Sequence, residues 1–168
     1  EHFIEAANTI KSKGHFDFNI LERGNVYKKC STDLDQSIDR SRVTFKTGDA
    51  CNLSPELGKF DVILASNILC RLPSPRQFLQ SAPLFLNPGG CLVLVSPYSW
   101  LEEYTNKSEW LGGTQETPDS ADVICNLLNT SRESMKLVYR NNMSFLIREH
   151  ERKYQYGMSD CMVFKKSL

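Results

Sequence analysis

Three short stretches set small, acidic or amide residues directly after apolar runs that read as strands: Gly48-Asp49-Ala50, Ser66-Asn67 and Ser96-Pro97-Tyr98. In an open α/β sheet, ligands sit in the crevice beyond the carboxyl ends of the strands. An aspartate there accepts hydrogen bonds from an exocyclic amine or a ribose hydroxyl. The adjacent backbone N–H can meet a ring nitrogen where glycine lets the chain approach closely. Gly-Asp-Ala alone is a weak signal, because Gly-Asp is also ordinary turn chemistry. Beyond the third stretch, Tyr98, Trp100, Tyr104 and Trp110 are interleaved with Glu102, Glu103 and Glu109. Such aromatics can exclude water from a small acceptor, and carboxylates can orient an N–H or meet an ammonium. Each also has a plainer reading: tryptophans that cap a core, solvated glutamates, and a weak surface pair at Arg148-Glu149 beside an exposed His150.

Periodicity shows the elements that must hold these stretches. Residues 60–65 (FDVILA) are nearly continuously apolar and β-branched, the pattern of a strand covered on both faces of a parallel sheet. Residues 75–86 read as a helix with Pro75 at its start and Phe78, Leu79, Ala82 and Phe85 on one stripe. Pro83 is expected to bend its last turn. Asn87-Pro88-Gly89-Gly90 reads as a sharp reversal into a second buried strand over 91–95, which completes a βαβ unit.

Upstream, Phe3, Ile4, Ala7 and Ile10 fall on one face of a helix that ends at Gly14. Residues 15–20 alternate as a half-buried strand, with a turn at Gly24 and a short second strand around Val26 and Tyr27. Residues 28–42 form a polar excursion, and 43–47 are rich in strand formers. Downstream, 120–129 read as a helix capped by Ser120, and 135–139, 143–148 and 161–164 as late strands. Residues 96–117 lack a period, yet their aromatic content argues against disorder.

Composition narrows the classes. The chain has 168 residues, the length of one domain, and its 20 Lys+Arg balance 20 Asp+Glu. A neutral chain lacks the field expected of a nucleic-acid binder or an anionic-membrane binder. Its longest apolar run, 91–95, falls far short of the ~20 residues a membrane span needs. No basic-then-apolar leader opens it. Six scattered cysteines without a CxxC, and three dispersed histidines, argue against a metal site or a disulfide framework. The reading is a cytoplasmic chain with reduced thiols, no metal, no nucleic acid and no membrane partner. Because the chain opens at Glu1 inside a helical pattern, the N-terminal part of the fold is expected to lie upstream.

In order and spacing, GDA, FDVILASN, helix, NPGG and strand resemble the second half of a class I S-adenosylmethionine-dependent methyltransferase, over residues 43–97. SPYSWLEEYT (96–105), EWLGG (109–113), FLIRE (145–149) and RKYQ (152–155), with FIEAA (3–7), are similar to one subfamily. That subfamily is the C-terminal methyltransferase domain of ovothiol-biosynthesis enzymes (5-histidylcysteine sulfoxide synthase/4-mercaptohistidine N1-methyltransferase). The resemblance implies an α/β fold, a class I methyltransferase (Rossmann-like, doubly wound) sheet lacking its first strands, with residues 1–168 as a single partial domain. It implies S-adenosyl-L-methionine as cofactor and methyl transfer to an imidazole nitrogen of 5-thiohistidine, giving ovothiol A, within a larger enzyme. By position, Gly48, Asp49 and Ala50 match the adenine-contacting segment, and Asn67 the residue beside the methyl donor. Tyr98, Trp100, Glu102 and Trp110 lie where the family walls off its acceptor. Tyr98 and Glu102 are the candidate catalytic groups, and Arg148 the candidate partner of the substrate carboxylate.

One departure matters. The family's glycine-rich loop, and the acidic residue that holds the ribose, have no counterpart upstream of Asp49, where Gly14 and Gly24 stand alone. The chain alone is therefore expected to bind cofactor poorly, with the missing N-terminal part of the same enzyme as its partner. The family's iron-dependent sulfoxide synthase and DinB-like regions also have no counterpart here. Two other readings stay open: a non-catalytic methyltransferase-like module kept as a folded partner domain, and a doubly wound NAD-type domain. The second would need an upstream GxGxxG and leaves SPYSWLEEYT unexplained.

Overall fold

In the computed structural model, which describes residues 1–117 and 119–168, the apolar runs fall where the backbone pairs into sheets. The chain forms two compact units, Glu1–Gly48 with Leu146–Tyr156, and Asp49–Phe145 with Gly157–Leu168.

In the first unit, helix α1 (His2–Lys13) ends at Gly14, whose φ of 72° lets its N–H reach back to Ile10 O. Strands β1 (His15–Arg23) and β2 (Val26–Asp33) form an antiparallel hairpin. The second strand runs well past Tyr27, because a ladder is made by backbone groups and an exposed face tolerates polar side chains. Residues 43–47, rich in strand formers, are not a strand. Strand propensity expresses itself on a paired, half-buried surface, and these residues pair with no neighbouring strand among the described residues.

The second unit carries the βαβ unit: β3 (Phe60–Ser66), α2 (Pro75–Ser81) and β4 (Leu86–Ser96), with β3 and β4 parallel. Pro83 acts as expected, and α2 gives way to a 3-10 turn over Ala82–Phe85. Asn87-Pro88-Gly89-Gly90 is not a free reversal. It is an irregularity inside β4, where pairing jumps from Phe60–Leu86 to Val62–Cys91. Gly90 is packed so closely there that a Cβ would lie 3.0 Å from Asp61 O. Helix α3 (Ser120–Asn129) is capped by Asp119, not Ser120, since Asp119 Oδ1 accepts from the Ala121 and Asp122 N–H groups. The late strands fuse into two long ones, β5 (Met135–His150) and β6 (Lys153–Lys166), in the order β3-β4-β6-β5, with β6 antiparallel to β4.

The core lies on one face of this sheet. Leu92, Leu94, Met162 and Phe164 pack against Phe78 and Leu79 of α2 and against Ala121, Ile124 and Leu128 of α3. On β3's other face Val62 and Leu64 remain 58% and 64% exposed, so FDVILA is covered on one side rather than two. Among the described residues no helix is long and apolar enough to cross a membrane.

Lys166 is buried at the edge of this core, donating to Pro83 O at 2.9 Å and Leu86 O at 3.1 Å and pairing with Glu133 at 2.8 Å. Hydrogen bonding to Lys166 holds the Glu133 carboxyl below its ordinary range. A carboxyl depressed in the folded state contributes stability above its unfolded pKa and loses it as pH falls through the folded one. Glu133→Gln is therefore expected to lower the Tm at neutral pH, and the gap to the native chain should close on acidification. A gap independent of pH in thermal unfolding would contradict this.

Candidate functional site

Parallel strands β3 and β4 end side by side, with Ser66 opposite Val95. Just beyond each end a non-glycine residue takes a left-handed conformation, Asn67 at φ 54° and Tyr98 at φ 51°. Such strain costs about 1–3 kcal/mol and persists where the surroundings over-determine it, which is commonest at functional sites. Here they do. Asn67 N–H donates to Val95 O at 2.7 Å, and its Oδ1 accepts from Ser159 Oγ at 2.9 Å. Tyr98 N–H donates to Ser96 Oγ at 3.2 Å.

Beside this rim opens a cavity of about 700 Å³, whose polar wall includes Ser96, Tyr98, Asp119, Arg140, Asn142 and Asp160. Among the lining residues, Asp160 has a side chain only 10% exposed. Tyr98 OH donates to Asp160 Oδ2 at 3.0 Å. Arg140 grips the same carboxylate, Nε lying 3.1 and 3.0 Å from its two oxygens and Nη2 2.9 Å from Oδ2. This is the geometry of a charge-assisted, plane-fixing pair. Burial, reinforced by the adjacent Asp160 charge, pushes the Tyr98 phenol far above its ordinary range. Tyr98 thus stays protonated and acts as a hydrogen-bond donor, not as a base.

The aromatic segment after β4 is built differently from its expected role as an acceptor wall. Trp100 is buried, donates from Nε1 to Ser120 Oγ at 3.1 Å, and stacks on Trp110 at 6.4 Å between centroids. Trp110 Nε1 donates to Thr105 O at 2.9 Å, and Thr105 Oγ1 to Leu72 O at 2.7 Å. Arg71 donates to Ser99 O at 2.7 Å and lies 5.1 Å from the Tyr104 ring centre. Both tryptophans therefore pack against the core and hold the segment in shape, and neither is among the residues lining the cavity. Glu102 sits exposed on the turn after Trp100 and is likewise not part of the wall.

The same bonds bring Asp49 to this end of the sheet. Asp49 Oδ1 accepts from Cys51 N–H at 2.9 Å, and Cys51 Sγ donates to Ser74 O at 3.4 Å. Ser74 Oγ in turn donates to Glu109 Oε2 at 3.2 Å. The Asp49 turn, the loop after β3 and the segment after β4 are thus joined at one rim, with Ala50 packed on the core beneath. Gly48 and Arg148 belong to the other compact unit, with Arg148 exposed. Sequence reasoning missed Arg140, Asp160 and Asp119. The available signals were an aspartate heading the apolar run 161–164 and another directly before a helical pattern.

Residues 24–94 match the family described as methyltransferase domain. No curated protein matches the chain. Among solved structures, the chain is similar to a SAM-dependent methyltransferase from Methanosarcina mazei, at 20% identity and TM-score 0.50, over 74% of this chain and 67% of that one. It is also similar to a protein described for conversion of a disulfide bond into a thioacetal group during echinomycin biosynthesis, at 12% identity and TM-score 0.50. That match covers 73% of this chain and 55% of the other, so the chain spans little more than half that protein's length. The likeness shows the fold alone, the α/β fold of class I methyltransferases with a mixed sheet. Family match and fold together imply S-adenosylmethionine as the cofactor. Of the residues expected to hold it, Asp49 presents an exposed carboxylate fixed by its own turn and Asn67 takes a left-handed conformation after β3, and neither lines the cavity.

Proposed function

We propose that this chain transfers the methyl group of S-adenosylmethionine to an imidazole nitrogen of 5-thiohistidine in ovothiol A biosynthesis, as part of a larger enzyme. The observation that carries methyl transfer is the pair of strained residues, Asn67 and Tyr98, at the ends of adjacent parallel strands beside a polar cavity. The choice of acceptor is supported by the SPYSWLEEYT block and its companions. Asp49 and Ala50 hold the adenine end of the cofactor, and Asn67 flanks its reactive end.

The bound cofactor supplies an activated sulfonium methyl. What the chain must do is align nucleophile, carbon and sulfur, and positioning of this kind supplies roughly 7–11 kcal/mol. Held by Asp49, Ala50 and Asn67, the cofactor would supply that methyl to the acceptor's imidazole nitrogen. The ring then releases one proton to water. Tyr98, kept as a neutral phenol, fixes Asp160 and through it Arg140, so the acceptor meets a rigid wall.

The test is an assay of the full-length protein with S-adenosylmethionine and 5-thiohistidine, read by mass spectrometry for a product one methyl heavier. Binding of S-adenosylhomocysteine without any such product would instead support a non-catalytic module. Asp49→Asn keeps a side-chain oxygen for the turn to Cys51 while removing the charge. It is expected to weaken S-adenosylhomocysteine binding about tenfold, the lower end for a hydrogen bond to a charged group, with an unchanged Tm. An unchanged dissociation constant in calorimetric titration would remove Asp49 from the site.

A further inference from the structure

The cavity wall carries both signs of charge, each fixed in place by hydrogen bonds. Arg140 commits Nε and Nη2 to Asp160, which fixes the guanidinium plane, while its side chain remains 45% exposed. The outer edge of that plane is the part that can serve a ligand. Across the wall, Asp119 is pinned by the first turn of α3, its Oδ1 accepting from the Ala121 N–H at 2.8 Å. Its carboxylate is otherwise exposed, and it lies near enough to favour the charged form of Arg140. Asn142 adds an amide to the wall, and Pro97 and Met158 an apolar patch.

From this juxtaposition we infer that the cavity is a head-group site for an α-amino acid, Arg140 taking the carboxylate and Asp119 the ammonium. The inference rests on the reading of the acceptor as an amino acid, and moves carboxylate recognition from Arg148 to Arg140. Both groups are preorganised before any ligand arrives, which lowers the ordering cost of binding. Arg140's charge is already paired with Asp160, so what it offers a ligand is the outer guanidinium edge as directed donors, while Asp119 offers a carboxylate acceptor. A zwitterion satisfies both, and about 700 Å³ is within the range of small-molecule sites. An apolar patch beside the charges suits a flat ring carried on the β-carbon.

The experiment uses the full-length protein with S-adenosylhomocysteine present and three probes: 5-thiohistidine, its decarboxylated amine, and its analogue lacking the amino group. Titration calorimetry of the native protein is expected to show each truncated probe binding at least about tenfold more weakly, as for a lost hydrogen bond between charged groups. Arg140→Lys keeps a cation beside Asp160 but removes the guanidinium edge. It should shrink the decarboxylation penalty to less than about threefold, leaving the deamination penalty intact. Asp119→Asn preserves the helix cap and removes the charge, so it should do the converse. Absence of 5-thiohistidine binding, equal binding of all three probes, or penalties unchanged in both variants would overturn the site. The expected pattern without methylated product would leave the site standing and defeat the methyl-transfer reading. Methylation with unchanged penalties in the variants would defeat the site alone.

Discussion

Asp160→Ala in the full-length protein is expected to lower kcat/KM for methyl transfer by at least about 100-fold, some 2.7 kcal/mol of transition-state stabilisation. The reason is geometric. One carboxylate accepts the Tyr98 hydroxyl at 3.0 Å and holds Arg140 through contacts of 2.9–3.1 Å. Without it, the guanidinium is free to turn into solvent and the phenol loses its partner. The acceptor would then meet a mobile wall, and small misplacements of a reacting group cost rate steeply. Stability should fall by less, about 1–3 kcal/mol, because Arg140 is exposed enough to rehydrate. Asp160→Asn separates the two effects. It keeps an oxygen for Tyr98 but loses the charge that binds Arg140, so it should hold the Tm near native while kcat/KM still falls at least tenfold. Steady-state kinetics beside thermal unfolding makes the comparison. Activity within threefold of native in the alanine variant would show that this triad only supports the fold.

The reach of the sequence depended on how local each feature is. The βαβ unit was legible because the pattern of 60–65, the spacing of Phe78 and Leu79, and the run 91–95 each report burial along a single element. The ends of β3 and β4 were legible too, so Asn67 and Tyr98 follow their strands, whereas Gly48-Asp49-Ala50, expected directly after a strand over 43–47, follows none. What failed was pairing. Residues 43–47 have strand composition but no ladder among the described residues, whereas 28–33 have little and pair fully with β1. The helix cap slipped by one residue because Asp119 and Ser120 are both good caps, and only the indole of Trp100 decides which side chain is spent elsewhere. The triad at the cavity was invisible for the same reason. Tyr98, Arg140 and Asp160 come from different segments, and their meeting is set by the pairing of β6 with β4 on one side and β5 on the other.

Trp100→Ala is expected to destabilise the chain by about 3–5 kcal/mol, as a large core side chain replaced by alanine does. Trp100 is 8% exposed, stacks on Trp110, and gives its only donor to Ser120 at the start of α3. Its removal therefore opens a void and unties the segment after β4 from the helix beneath. Trp100→Phe restores most of the volume but leaves the Ser120 hydroxyl short of a donor, so about 1–3 kcal/mol should remain lost. Trp110 is only half-buried, and Trp110→Ala should cost less. A double-mutant cycle between the two should show a coupling of about 0.5–1.5 kcal/mol from the stack itself. Urea unfolding gives these values. The opposite pattern is a loss below 1 kcal/mol with strongly weakened binding of 5-thiohistidine. That pattern would restore Trp100 to the acceptor wall where its place in the sequence first put it. The distinction matters for the mechanism, because a tryptophan that belongs to the core leaves acceptor recognition to the charged wall of Arg140, Asp160 and Asp119.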